Sequence, residues 1–231
     1  MSGHNYDPRT VPRTVPQSAP GAIIFDWDNT LIDAWPAIHE ALGATFLAYG
    51  LEPWTLEETI SRVRKSLRDS FPGLFGELWE EAAEVFYNRY RAIHLEALKA
   101  LPGAGEMLGE LSRLGVYLAV VSNKNGEYLR KEARHLGWDG FFGQMVGATD
   151  AERDKPAPEP VEMALNGGNI NKDDPVWFAG DALIDLECAV NSNCIPVLLR
   201  KNEPKTGEFD AFPPVLHFKE CQALSNFVRK L

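Results

Sequence analysis

Two aspartates, Asp26 and Asp28, follow directly on the apolar run Ala22-Ile23-Ile24-Phe25. Such a run reads as a strand buried on both faces. Acids immediately after it lie at the strand's carboxyl end, where open α/β sheets place their ligands. Two residues apart in a continuing strand, their side chains share a face. A carboxylate pair there can bind a hard cation such as Mg²⁺, or one acid can attack while the other shuttles a proton. Two further apolar runs end in polar groups, Val120-Val121 in Ser122-Asn123, and Phe178-Ala179 in Gly180-Asp181 with Asp185 four residues on. Between them, Asp154-Lys155-Pro156-Ala157-Pro158-Glu159-Pro160 carries a lysine on a proline-stiffened loop. Taken singly, each has a plainer explanation. The acid pair is then a polar turn, Ser122 a helix cap, Lys155 a solvated charge, and Asp181 and Asp185 acids favoured at a helix start. Taken together, three strand ends and one rigid loop supply acids, a hydroxyl and a cation, and coincidence is the poorer account.

The rest of the chain must position these groups. Apolar runs at 22–25, 116–121, 176–179 and 195–199, with a weaker one at 144–147, alternate with helical patterns such as 105–114 and 127–136. That alternation predicts a parallel sheet with helices on both faces. Pro196 predicts an edge or irregular position for the last run. From 36 to 98 the alternation stops. Helical spacing alone recurs at 37–49, 55–68 and 77–98, punctuated by Gly50, Pro53, Pro72 and Gly73. Domain boundaries follow: a Pro-rich disordered leader over 1–20, an α/β catalytic core from 21–35 and 101–231, and a helical cap over 36–100, with hinges at 32–35 and 101–103.

The set Asp26-Trp27-Asp28-Asn29-Thr30, Ser122, Lys155 and Gly180-Asp181 with Asp185 resembles, in its order along the chain, the four motifs of the haloacid dehalogenase-like hydrolase superfamily. The helical insert after the first motif is similar to a C1-type cap, and phosphoglycolate phosphatase-like members are the nearest in kind. The resemblance covers residues 22–199. It implies an α/β fold with a Rossmann-like parallel-sheet core and an inserted α-helical cap domain. It implies Asp26 as nucleophile, forming an aspartyl-phosphate, and Asp28 as the acid that protonates the leaving oxygen and then deprotonates water. Thr30, Ser122, the Asn123 backbone amide and Lys155 would orient and bind the phosphoryl group. Mg²⁺ would be held by Asp26, the Asp28 carbonyl and Asp181, with Asp185 either a ligand itself or a support behind the ligands. Three departures stand out. Asn29 occupies a usual glycine position, which asparagine tolerates because it accepts left-handed backbone. Ala182 replaces a frequent hydroxyl residue, and Trp27 is large, with its ring expected to point away from the acids.

Within that family Asp28 favours phosphate esters over halide or phosphonate chemistry. A phosphomutase and a catalytically silent binding module are the competing readings. Arg64 and Arg68, four apart with Lys65 beside them, can greet a second anionic group on the substrate, or pair with Glu57, Glu58 or Asp69 on a solvated face. Trp35, Trp54 and Trp79 read as cap core, and the five histidines show no ligand spacing. The chain of 231 residues carries 23 basic and 33 acidic groups, for a net charge of −10. That field argues against nucleic acid as a partner. No apolar run approaches the roughly 20 residues of a membrane helix, the first twenty residues hold no signal-peptide core, and three cysteines without ligand spacing fit reduced thiols. The expectation is a cytoplasmic protein acting on a small phosphorylated substrate, with the oligomeric state left open.

Overall fold

The computed structural model describes residues 14–170 and 173–231. Its strands, in chain order, are β1 (Ala22–Phe25), β2 (Ile32–Asp33), β3 (Lys99–Ala100), β4 (Tyr117–Asn125), β5 (Gln144–Ala148), β6 (Val176–Gly180), β7 (Ile195–Leu199) and β8 (Leu216–Phe218). Six of them form one sheet in the order β5-β4-β1-β6-β7-β8, every neighbouring pair parallel. Counted among the sheet strands alone, this is the doubly wound order 3-2-1-4-5-6, whose direction reverses between β1 and β6 and opens a crevice at their carboxyl ends.

The helices are α1 (Trp35–Ala48), α2 (Leu56–Arg62), α3 (Leu67–Phe75), α4 (Trp79–Ala97), α5 (Ala104–Arg113), α6 (Gly126–His135), α7 (Glu159–Leu165), α8 (Leu183–Asn191) and α9 (Cys221–Val228). Both sheet faces are covered, which is why β1 is apolar throughout. Ile23 and Phe25 face one cluster with Met107, Leu108 and Leu111 of α5, Leu129 of α6 and Leu224 of α9. Ile24 faces the other, with Val161 and Ala164 of α7 and Cys188 and Ala189 of α8. All four β1 residues are buried, and each large side chain so buried contributes about 1.5–3 kcal/mol.

Helices α1 to α4 lie between β2 and β3, which pair antiparallel through Ile32↔Ala100 and Asp33↔Lys99. The inserted helices have a core of their own, with Leu42, Phe46, Phe71, Ala82 and Ala83 buried and Trp54 and Trp79 packed against them.

Several expectations are corrected. The helix expected over 55–68 is two. Thr55 caps α2 through a reciprocal pair with Glu58, Val63 turns extended at its end, and α3 restarts after Ser66. Arg64 and Lys65 therefore sit in a break, not on one helical face with Arg68. Pro72, read as punctuation, lies inside α3, where its missing N–H forgoes one bond of the ladder. Pro196 is interior, because β7 lies between β6 and β8. It is tolerated there because the β7–β8 ladder begins only at Val197, and on that side Pro196 needs only its carbonyl, which accepts from Val215 N. The leader expectation falls partly outside the described residues, at 1–13. Residues 14–20 have no helix or strand, yet Pro16 and Pro20 are buried.

Candidate active site

The reversal of the sheet brings the groups from separate strand ends together. Asp26 follows β1 and its amide donates to the Ala179 carbonyl of β6. Asp181 follows β6, and Asp185 lies in the first turn of α8, where its Oδ2 accepts from Ala182 N at 3.0 Å. Gly180 makes that turn possible, since a Cβ there would stand 2.3 Å from Asp185 Cβ. Lys155 reaches across from its loop, its Nζ 2.6 Å from Asp26 Oδ1 and 2.8 Å from Asp185 Oδ1. Asn123, at the end of β4, fixes the lysine's backbone, its Oδ1 accepting from Lys155 N at 3.0 Å and its Nδ2 donating to Lys155 O at 3.2 Å. Its side chain thus has a role of its own, beside the one expected of its backbone amide. Thr30 Oγ1 stands 3.4 Å from Asp26 Oδ2 and 3.5 Å from Asp181 Oδ1. Ser122 is buried and its Oγ accepts from Lys124 N; the cap of α6 is Asn125 instead. Asn29 takes φ 64°, the left-handed geometry expected of it, and the turn closes with Asn29 N donating to Ile32 O.

Asp26, Asp181 and Asp185 offer carboxylate oxygens that all lie within 4.8 Å of one another. Three hard oxygen donors so placed can hold a divalent metal ion. Their electrostatics fit that use. Burial and then repulsion from Asp185 and Asp26 push the Asp181 carboxyl well above its usual value. Burial also raises Asp185, to about 6, against the opposing pull of Lys155. Burial works against the charge on Lys155 as well, but Asp185 and Asp26 hold its ammonium far more firmly protonated than usual. Lys155 touches two of the three acids, Asp26 and Asp185, and a cation would offset the repulsion that remains among them.

Asp28 stands apart from this set, with Lys124 Nζ 2.6 Å from its Oδ1. Burial, with repulsion from Glu132 and Asp26, raises its carboxyl to about 6 in spite of Lys124. A cavity of about 190 Å³ opens over these residues, lined below by Asp26, Asp28, Ser122 and Lys155 and above by Trp54, Phe71 and Tyr87 of the inserted helices. Arg64 and Lys65 line it, and Arg68 does not. Arg68 instead pairs with buried Asp154 beside Lys155, at 2.6 and 2.7 Å through two nitrogens. The expected pairing with Glu57, Glu58 or Asp69 gives way to this one because α3 begins afresh and turns Arg68 toward the Lys155 loop, while Glu58 pairs with Arg62.

The sequence profile described as haloacid dehalogenase-like hydrolase matches residues 23–198. The chain belongs to that family. A phosphoglycolate phosphatase from Psychrobacter arcticus is 27% identical over 90% of this chain and 95% of its own length. Pyrophosphatase PpaX from Halalkalibacterium halodurans is 30% identical, covering 71% of this chain and 76% of its own. Among solved structures, a Had-superfamily hydrolase from Ehrlichia chaffeensis superposes with a TM-score of 0.63 at 30% identity, covering 94% and 99% of the two chains.

This haloacid dehalogenase-like hydrolase also holds polar groups that sequence reasoning missed. Glu132 of α6 is fully buried and accepts from Trp27 Nε1 at 2.8 Å, Tyr90 OH at 2.9 Å, His94 Nδ1 at 2.8 Å and Lys124 Nζ at 2.6 Å. Trp27 does point away from the acids, as expected, into the core against Trp138 and Phe142. His94, one of five histidines without ligand spacing, is buried at this centre. A single sequence carries no spacing that joins 27, 90, 94, 124 and 132, so only the fold reveals them. Arg200 was missed too; it donates to the Asp181 carbonyl at 3.2 Å while Glu208 holds its guanidinium at 2.8 and 2.7 Å. Among the described residues, the hydrolase has no helix long and apolar enough to cross a membrane, and its three cysteines are free and buried.

Proposed function

We propose that the protein is a Mg²⁺-dependent phosphatase of small phosphorylated metabolites, phosphoglycolate-like monoesters being the substrate class, and that it acts through an aspartyl-phosphate on Asp26. The observation that carries this reading is the convergence of Asp26, Lys155, Asp181 and Asp185 at the carboxyl end of the sheet, beneath a cavity suited to a small molecule. The printed names of the relatives, phosphoglycolate phosphatase and pyrophosphatase, agree with it. Free, buried thiols suit a reducing, cytoplasmic setting.

In this reading Asp26 attacks phosphorus. An anionic nucleophile and an anionic ester repel one another, and Lys155, touching Asp26, offsets part of that repulsion. Mg²⁺, held by Asp26, the Asp28 carbonyl, Asp181 and Asp185, would supply the remaining charge neutralisation at the phosphoryl oxygens. Ser122 and the Asn123 amide orient those oxygens, and Thr30 braces Asp26 and Asp181. Asp28, whose raised carboxyl keeps a proton within reach near neutral pH, gives it to the leaving oxygen and later takes one from the attacking water. Residues 21–35 and 101–231 act as the catalytic core and 36–100 as a cap. Arg64 and Lys65 meet a second anionic group on the substrate, while Arg68 ties cap to core through Asp154.

The test is phosphate release from 2-phosphoglycolate, other small monoesters and p-nitrophenyl phosphate, with Mg²⁺, with excess EDTA and with Asp26→Asn. Turnover lost in both controls supports the reading. Turnover that survives Asp26→Asn, or no release from any ester by protein that binds Mg²⁺, overturns it.

A further inference from the structure

Asp28 is not held by its own loop alone. Lys124 grips its Oδ1, and Lys124 is in turn gripped by Glu132. Glu132 also takes the indole N–H of Trp27, the residue between the two aspartates. One buried carboxylate thus holds the Asp26-Trp27-Asp28 segment twice, directly through Trp27 and indirectly through Lys124. Its other two donors, Tyr90 OH and His94 Nδ1, stand on α4 of the inserted helices. They stack on each other, at 5.2 Å between ring centroids, and meet Tyr128 of α6 edge-on. Lys124 Nζ lies 5.4 Å from the centre of the Tyr90 ring. Oε2 of Glu132 is therefore satisfied from the core and Oε1 from the insert.

We infer that Glu132 is a positioning residue that makes the aim of Asp28 depend on the docking of α4; the inference rests on the acid–base role given to Asp28 above. With α4 seated, Glu132 has four donors, its charge is stable without water, and Lys124 is fixed between it and Asp28. With α4 lifted, Oε1 loses both its donors and hydrates, and Lys124 and Trp27 lose the rigid anchor that orders the Asp28 carboxyl. A proton delivered to a leaving oxygen needs heavy atoms within hydrogen-bond reach, so a loosened carboxyl transfers poorly. Proton donation is thereby tied to the state in which the cavity is roofed.

A merely structural role and this one differ in a measurable way. An alkyl phosphate such as 2-phosphoglycolate needs its leaving oxygen protonated, whereas p-nitrophenolate departs as a stable anion and does not. Tyr90→Phe removes one hydroxyl and no charge. His94→Leu removes a donor, and His94→Asn keeps an N–H near the Nδ1 position. Tyr90→Phe and His94→Leu are expected to lower kcat on 2-phosphoglycolate about tenfold, part of the roughly 10²–10⁴ that a positioned acid supplies. The single-turnover rate of p-nitrophenolate release, which precedes the water attack that both esters share, is expected to change by less than about twofold, with KM for both esters nearly constant and His94→Asn restoring most of the loss on 2-phosphoglycolate. Glu132→Gln should show the larger effect of the same kind, but the milder variants keep the test valid if it folds poorly. Equal losses in the single-turnover release of both leaving groups, or no loss in either, overturn the inference while leaving the phosphatase reading standing. A wild-type protein that hydrolyses neither ester removes that reading and the inference with it.

Discussion

Replacing Glu132 by glutamine keeps the shape of the side chain and deletes its charge. The carboxylate accepts from four donors, two at each oxygen. Glutamine has one acceptor oxygen, so whichever way its amide turns, its N–H groups face two donors that the carboxylate had satisfied. Lys124 keeps Asp28 as its one carboxylate partner. Two routes give the size of the loss. Removing one partner of a buried ion pair costs about 3–5 kcal/mol. Independently, burial works against the Glu132 charge, but Lys124, His94 and Trp27 together hold its carboxyl down from 4.5 to about 2. A depression of that size contributes about 3 kcal/mol near neutral pH. The sign follows from the direction. A carboxyl lowered in the folded state contributes fully above its unfolded value near 4.5, and the contribution fades as pH falls toward about 2. Urea unfolding followed by tryptophan fluorescence, at matched pH values for both proteins, measures the difference. It should be about 3 kcal/mol near neutrality and shrink to about 2 kcal/mol at about pH 3.5. A gap below about 0.5 kcal/mol at neutral pH, or one unchanged on acidification, would show that the buried charge is not what the four donors serve.

Other perturbations probe other parts. Gly180→Ala sets a methyl 2.3 Å from Asp185 Cβ; we expect displaced Asp185, loss of Mg²⁺ affinity by isothermal titration and loss of turnover, and a variant with unaltered Mg²⁺ binding would contradict the close approach. Asp181→Asn removes one of three clustered carboxylates, and should weaken Mg²⁺ binding about 10–100-fold while raising thermal stability in metal-free buffer, since it relieves repulsion. Arg68→Ala strips Asp154, nearly fully buried, of its bidentate partner. A cost of about 1–3 kcal/mol is expected, read as a lowered Tm, together with a higher KM; an unchanged Tm would mean that water replaces the guanidinium fully.

What the sequence made legible has a physical pattern. The apolar runs at 22–25, 176–179 and 195–199 emerge as strands because both sheet faces are covered, so burial leaves an unbroken signal. The acids after the first two of those runs are visible because a charge directly behind a buried strand has few structural reasons to be there. The break at 63–66 was not visible, since Val63 and Leu67 continue helical spacing although the backbone turns. Pro196 misled for a related reason, as only the register with β8 says which side of the strand lacks a donor. The Glu132 centre was hidden most thoroughly, because a buried acid, a histidine and a tyrosine from distant segments look, one by one, like ordinary helix surface. Interactions local in sequence could be read, and those assembled across the fold could not.

The two-stranded ribbon of β2 and β3 has a bearing on ancestry and engineering. The chain leaves the sheet at Ile32-Asp33 and comes back at Lys99-Ala100, side by side, so both crossings occur within about one strand spacing, roughly 5 Å. A segment whose two ends are neighbours can be lengthened, shortened or exchanged with little strain on what it was cut from, because closing the gap it leaves needs only a short turn. The four helices are in that sense a cassette seated in a socket, and a donor cassette from a relative needs to match the socket at few points. Tyr90, His94 and Arg68 are such points, and a chimera that keeps those three could change what the pocket accepts while the chemistry beneath it carries on.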